Sequence, residues 1–275
     1  MFNRFFHFIN TFRKRISKDN ISALSSQLTY YLLLSFFPFV MFLLTILSYT
    51  PITERQFVSR ISNLFPEDIS KIITSILNEI SKNQSNALLS ITVIITIWSA
   101  SRGVLAIIKG LNIAYRINET RSFIYIRAIS VLYTLIFAII IVLTFIMLIF
   151  GNKLLALITN LFNIPSELMG LIQFVRYVGS IGLLFLFFII IYNAIPNRKI
   201  SFTEVIPGSI FASIGWVLLS IFFSIYIDNF GEYSYMYGSL TGLILLLLWL
   251  YISSNIILIG GELNAFLVEQ KKTND

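Results

Sequence analysis

Long apolar stretches separated by short polar connections organise this chain from Ala23 onwards. Six are of membrane-spanning length: about Ala23–Ser48, Ala87–Ile108, Ala128–Phe150, Phe174–Ala194, Val205–Ile225 and Tyr237–Phe266. Each can cross about 30 Å of hydrocarbon as a helix of roughly 20 residues. Helix is the expected state, because lipid offers no partner to a backbone group left unpaired within its own segment. The alternating segments of about ten residues that mark a β-barrel are missing from the pattern. The predicted fold class is all-α, a polytopic membrane protein built as a bundle of six transmembrane helices. One membrane domain, 1–275, is expected, with a cytoplasmic amphipathic segment at 1–22, the transmembrane region at 23–266 and a cytoplasmic tail at 267–275.

Two further stretches have helical periodicity without spanning length. Before the first span, Phe2, Phe5, Phe6, Ile9, Phe12 and Ile16 recur at helical spacing beside Arg4, Arg13, Lys14 and Arg15. That pattern predicts an N-terminal interfacial helix at an anionic membrane surface. In the first external loop, Ile69, Ile72, Ile73, Ile76, Leu77 and Ile80 form an apolar stripe after the helix-start sequence Pro66-Glu67-Asp68, predicting an amphipathic external helix.

Charge sets the orientation. Arg4, Arg13, Lys14, Arg15, Lys18, Arg102, Lys109, Arg116, Arg121, Arg127, Arg198, Lys199, Lys271 and Lys272 fall on one side of the predicted spans. Only Arg55, Arg60, Lys71, Lys82, Lys153 and Arg176 fall on the other. The bias predicts cytoplasmic N- and C-termini. Composition agrees with the membrane class: 57% hydrophobic residues, 12% charged residues and a mean hydropathy of +0.84. A formal charge of +7 therefore reads as topology, and no nucleic-acid partner is implied. With no cysteine and a single histidine, His7, disulfides, thiolate metal sites and multi-histidine metal sites are excluded, and no cofactor or metal is expected.

Polar residues inside spans are the candidates for function, because an unpaired polar group in hydrocarbon costs several kcal/mol. In the first span, Gln27, Tyr31 and Ser35 share a stripe that leads to Pro38. Pro38 removes a backbone hydrogen bond; the freed carbonyl faces either a packed kink or a partner. In the last span, Tyr251, Asn255 and Glu262 make the inner half polar on one face. Depth arithmetic at 1.5 Å per residue puts Glu262 near the cytoplasmic interface and Arg102 at a similar level. The expectation is that Glu262 either pairs with Arg102, or with a neighbouring base such as Arg127, to lock the helix ends, or is simply wetted. Together these eight residues are candidates for a polar pathway or a helix lock. Gly238 and Gly242, at small-xxx-small spacing, and Gly260 with Gly261 are candidates for close helix packing. Pro196 and the pair Pro207-Gly208 read as turn and helix-start residues around Asn197-Arg198-Lys199. Catalytic motifs of the G-x-S-x-G, Walker A or H-E-x-x-H kind are missing, so no enzyme is expected.

Several of these stretches together resemble the YihY/virulence factor BrkB family of bacterial inner-membrane proteins, formerly labelled ribonuclease BN. They are Leu28-Thr-Tyr-Tyr-Leu-Leu-Leu-Ser-Phe-Phe-Pro38, Trp98-Ser-Ala-Ser-Arg-Gly103 with Leu111-Asn112, Tyr192-Asn-Ala-Ile-Pro-Asn-Arg-Lys199, Pro207-Gly208, the run from Tyr237 to Tyr251, and Gly260-Gly261-Glu262-Leu263. The resemblance implies six transmembrane helices, cytoplasmic termini and a plasma-membrane location, but no established activity. Gly261 departs from the alanine expected in many relatives. Export of envelope lipid by some relatives points to a transporter of lipid or small solute. A non-transporting membrane scaffold is the alternative, and the bilayer is the partner expected in either case.

Overall fold

The computed structural model describes residues 2–48, 86–149, 169–229 and 240–274, which form helices α1 (Phe2–Lys18), α2 (Ile21–Ser48), α3 (Asn86–Ala114), α4 (Phe123–Ile149), α5 (Met169–Ala194), α6 (Phe202–Asn229) and α7 (Leu240–Asn274). No strand occurs among them. By length and composition four stretches can cross a membrane: Ser90–Ala114, Phe123–Ile141, Phe202–Tyr226 and Gly242–Lys271. A shorter apolar stretch, Val178–Ala194, accompanies them. The expected count of six thus meets four stretches that satisfy the criterion among the described residues. The expected external helix around Ile69–Ile80, and Gly238, lie outside the described residues.

The helices outrun the apolar stretches that announced them. α3 continues through Lys109 and Asn112 to Ala114, and α7 runs 35 residues, roughly 50 Å at 1.5 Å per residue. A helix need not stop where its side chains turn polar; it stops where its caps are. Asn20, in the left-handed conformation with φ 50°, ends α1, and its carbonyl accepts from Ala23 and Leu24 to start α2. Arg116, with φ 55°, ends α3: its N–H donates to Ile113 O and that of Ile117 to Asn112 O, the paired bonds of a Schellman ending. Ser201 opens α6 with the glutamate half of a capping box, the Glu204 carboxylate accepting from Ser201 N at 3.2 Å while the Ser201 carbonyl accepts from Glu204 N.

The six long helices form a ring in sequence order, α2 beside α3, then α4, α5, α6 and α7, with α7 returning to α2. α7 also touches α3, and α1 lies across α2 and α7. Among the described residues, close approach is concentrated at one end. A Cβ on Gly110 would strike Leu258; on Gly208, the Gly260 carbonyl; on Gly260, the Tyr192 hydroxyl; and on Gly261, Leu111. Leu28, Leu111, Phe188, Ile191, Tyr192, Ile195 and Val205 fill the same region as the apolar core. The end holding it is the one with the chain termini and the connections 115–122 and 195–201. Towards the other end, Cβ atoms on Gly170, Gly182 and Gly242 would meet nothing within 4 Å among the described residues.

Pro207 also departs from expectation, since it sits within α6 and not in the turn. It has no N–H, and its ring crowds the carbonyl four residues earlier. The adjacent Gly208 N–H donates to Asn264 Oδ1 of α7 at 2.6 Å, while Asn264 Nδ2 donates to Val205 O at 3.2 Å. One fully buried side-chain amide of α7 thus makes two hydrogen bonds to the α6 backbone beside the Gly208–Gly260 crossing.

Candidate functional site

At the packed end, α1 brings Arg15 into the bundle. Phe8, Phe12, Arg15 and Asp19 fall at i, i+4, i+7 and i+11, one face of a helix. Phe8 and Phe12 pack on Phe266 of α7, with ring centroids 5.1 and 5.5 Å away. Docking by the two rings carries the guanidinium inward, where it is 7% exposed. Phe6 and Ile9 of α1 are exposed, as a helix at a membrane surface requires of its apolar side chains. Arg15 departs from the surface placement that the sequence predicts for it alongside Arg13 and Lys14.

Arg15 Nε donates to Glu262 and Nη1 to Glu269, both on α7, while Nη2 donates to the carbonyl of Ala114 at 2.7 Å. Ala114 is the last residue of α3, where the final carbonyls lack helical partners and the dipole is negative. One side chain therefore ties α1 to the ends of α3 and α7. Asp19 lies 4.0 Å from Arg15 Nε, and the Phe266 ring centroid 5.8 Å from its guanidinium carbon. Burial alone would lower the Arg15 pKa, but Glu262 and then Glu269 outweigh it and hold it above its ordinary value.

Glu262 is fully buried, so it is neither wetted nor at an exposed rim. Its partner is Arg15 rather than Arg102 or Arg127. Its second oxygen, Oε2, has no hydrogen-bond partner among the described residues. Arg127 instead lies over the Trp98 ring, 3.7 Å from its centroid. The lock foreseen at the ends of the helices thus exists with a different base. Gly260 and Gly261 supply the clearance it needs against Tyr192 and Leu111.

The other predicted residues divide between places. Gln27, Tyr31 and Arg102 line a cleft of ≈ 310 Å³ between α2, α3 and α4, away from Glu262. Ser35 is buried and bonds back to Leu32 O at 2.7 Å, close to Pro38 inside α2. Asn255 Nδ2 donates to Tyr251 O at 2.8 Å, within its own helix. Beyond the lock, the Tyr192 hydroxyl donates to Ile257 O at 2.8 Å, joining α5 to α7.

A second polar cluster fastens the two short connections. Asn112, buried at the end of α3, donates to Glu119 at 2.8 Å and accepts from Asn197 N at 3.0 Å. Arg121 donates to Glu119 through Nε and Nη2, at 2.8 and 2.7 Å, and reaches Ile195 O. The Arg121 hydrogen bond is the main cause of a Glu119 pKa lowered to about 2; burial opposes it. Sequence reading missed Arg15, Asn112, Glu119 and Asn264. Only Arg15 left a clear trace, as a cation on the Phe8/Phe12 stripe.

A bundle of long apolar helices, with its polar side chains spent on joining helix ends, defines an α-helical membrane protein. The family model for virulence factor BrkB matches residues 12–275, and the chain belongs to that family. Among curated proteins it is 36% identical over 251 residues to the ribonuclease-like protein YfkH of Bacillus subtilis, covering 91% of each chain. It is 28% identical over 270 residues to a UPF0761 membrane protein of Alteromonas mediterranea, covering 94% of this chain and 86% of that one. A UPF0761 membrane protein of Idiomarina loihiensis is 28% identical over 275 residues, with 98% and 93% covered. No solved structure matches.

Proposed function

We propose that the chain is a transporter or exporter of a lipid or small solute in the bacterial plasma membrane, and not an enzyme. It would cross the bilayer six times, α2 and α5 completing the set, with both termini in the cytoplasm. The observation that carries this reading is the buried Arg15–Glu262 ion pair, set among glycine crossings at the termini end of the ring. A scaffold has no need of a buried charge at a helix crossing, since apolar side chains of equal volume serve stability as well or better. A gate does, because its contacts must be separable.

The deciding experiment is reconstitution of the full chain in liposomes, with flux followed for a panel of labelled phospholipids and small solutes. Protein-dependent flux that changes in Glu262→Gln while the protein stays folded supports the gate. Absence of flux across a broad panel sinks it, and a tightly co-purifying membrane partner would then favour the scaffold. The ribonuclease-like name of the Bacillus subtilis relative is not carried over. Phosphodiester cleavage calls for a general base or a metal-ligating set, and the one histidine, His7, is exposed on α1. A nuclease-free preparation that cleaves RNA, and loses this through a single internal substitution, would reverse that judgement.

A further inference from the structure

The cleft between α2, α3 and α4 is not part of the Arg15 lock. Trp98, Arg102, Leu105, Ala106 and Lys109 of α3 form its floor, with Gln27 and Tyr31 of α2 on one wall and Phe123 and Arg127 of α4 on the other. Three cations meet in ≈ 310 Å³, and no carboxylate among the described residues lines the space. Arg102 and Lys109 are exposed, and neither has a hydrogen bond or ion pair among the described residues. Arg127 spends Nη2 on the Trp98 carbonyl at 3.2 Å and lies over the indole, but its buried Nε has no partner among the described residues.

Placement decides what can neutralise these charges. Along the span that starts at Ser90, Arg102 is about 18 Å and Lys109 about 28 Å up the helix axis. The cations therefore lie from within the termini-side leaflet to its interface. Cations gathered at that depth repel one another, and the carboxylate of Asp19 lines the neighbouring cleft that Lys109 and Gln27 share rather than this one, so this space favours an anionic ligand. Trp98 and Phe123, both exposed, offer apolar and aromatic surface beside them, as in a site that grips a polar head while acyl chains run along the wall. The volume is at the small end of ligand sites, roughly 300 to 1,000 Å³.

We propose that this cleft binds the phosphate headgroup of an anionic phospholipid in the leaflet on the side of the termini. Arg102 and Lys109 hold the phosphate as point charges, Gln27 and Tyr31 offer hydrogen bonds, and Arg127 is held flat by Trp98 so that its remaining donors face the head. The site needs no transport activity, so loss of flux and loss of lipid retention are separate results.

The test is native mass spectrometry of the full chain released from nanodiscs containing equal phosphatidylglycerol and phosphatidylcholine. The wild type should retain phosphatidylglycerol preferentially, and Arg102→Gln/Lys109→Gln should weaken that retention roughly tenfold or more. Arg13→Gln/Lys14→Gln, exposed on α1 and outside the cleft, should leave it unchanged. If the cleft double variant does not fold, Lys109→Gln alone should still reduce retention several-fold. In a Trp216→Phe/Trp249→Phe background, the fluorescence of Trp98 should respond to phosphatidylglycerol and not to phosphatidylcholine. Equal retention of the two lipids, or retention indifferent to Arg102 and Lys109, overturns the proposal. Displacement by inorganic phosphate at comparable affinity overturns the lipid assignment in favour of a dissolved anion.

Discussion

A guanidinium among apolar helices persists only where each edge of its fork meets an acceptor, and Arg15 meets Glu262, Glu269 and the Ala114 carbonyl. The three contacts differ in consequence. Arg15→Ala should lower stability by about 3–5 kcal/mol, because it leaves Glu262 buried and uncompensated. Glu262→Gln should cost about 1–3 kcal/mol, since Arg15 keeps its other acceptors. Arg15→Met/Glu262→Leu should recover most of the loss or exceed the wild type. Thermal unfolding in one detergent measures all three; a double variant no better than Arg15→Ala would show that the pair is not a unit. Glu119 offers a pH test. Its folded pKa, about 2, lies below the ordinary 4.5, so its contribution is fully present above pH 4.5 and is lost as pH falls towards 2. The stability difference between wild type and Glu119→Gln should shrink to nothing across that interval. Neither residue's partner was legible in the sequence. Glu262 announced itself as a charge in a span, but Arg15 lies 247 positions away in a basic segment where one cation looks like another.

At the scale of elements, α6 and α7 are held at their crossing by the absence of side chains at Gly208 and Gly260 and by the two hydrogen bonds of the Asn264 amide. Gly208→Ala should therefore drive the helices apart and destabilise strongly, as its Cβ would meet backbone that cannot rotate away. Gly182→Ala, mid-helix with no neighbour within 4 Å among the described residues, should be neutral or stabilising by up to about 1 kcal/mol. Thermal unfolding of the two variants side by side checks this, and a large loss from Gly182→Ala would locate a packing contact there. The helices themselves could be read early, because a run of apolar side chains long enough to span leaves the backbone no other state. Their ends could not, because they depend on caps such as Asn20, Arg116 and the Ser201–Glu204 box. The glycines were separable only in part: Gly260 and Gly242 look alike in sequence, and which of them faces a neighbour depends on helix rotation.

For the whole molecule, order in sequence is order in space around the ring, which is why hydropathy alone conveys much of the architecture. What it does not convey is that α7 leans inward to meet α2, α3 and α6 and, through Ile257, α5. That position has a consequence in time. The ribosome makes Arg15 near the start and Glu262 and Glu269 near the end, so the first helix emerges with its cation unmatched. The two glutamates, the Ile257 carbonyl for Tyr192 and the Asn264 amide for α6 all arrive with the final helix. Assembly therefore waits on the last part of the chain, and a chain halted before α7 would leave an open row of helices with Tyr192 and Gly208 uncovered.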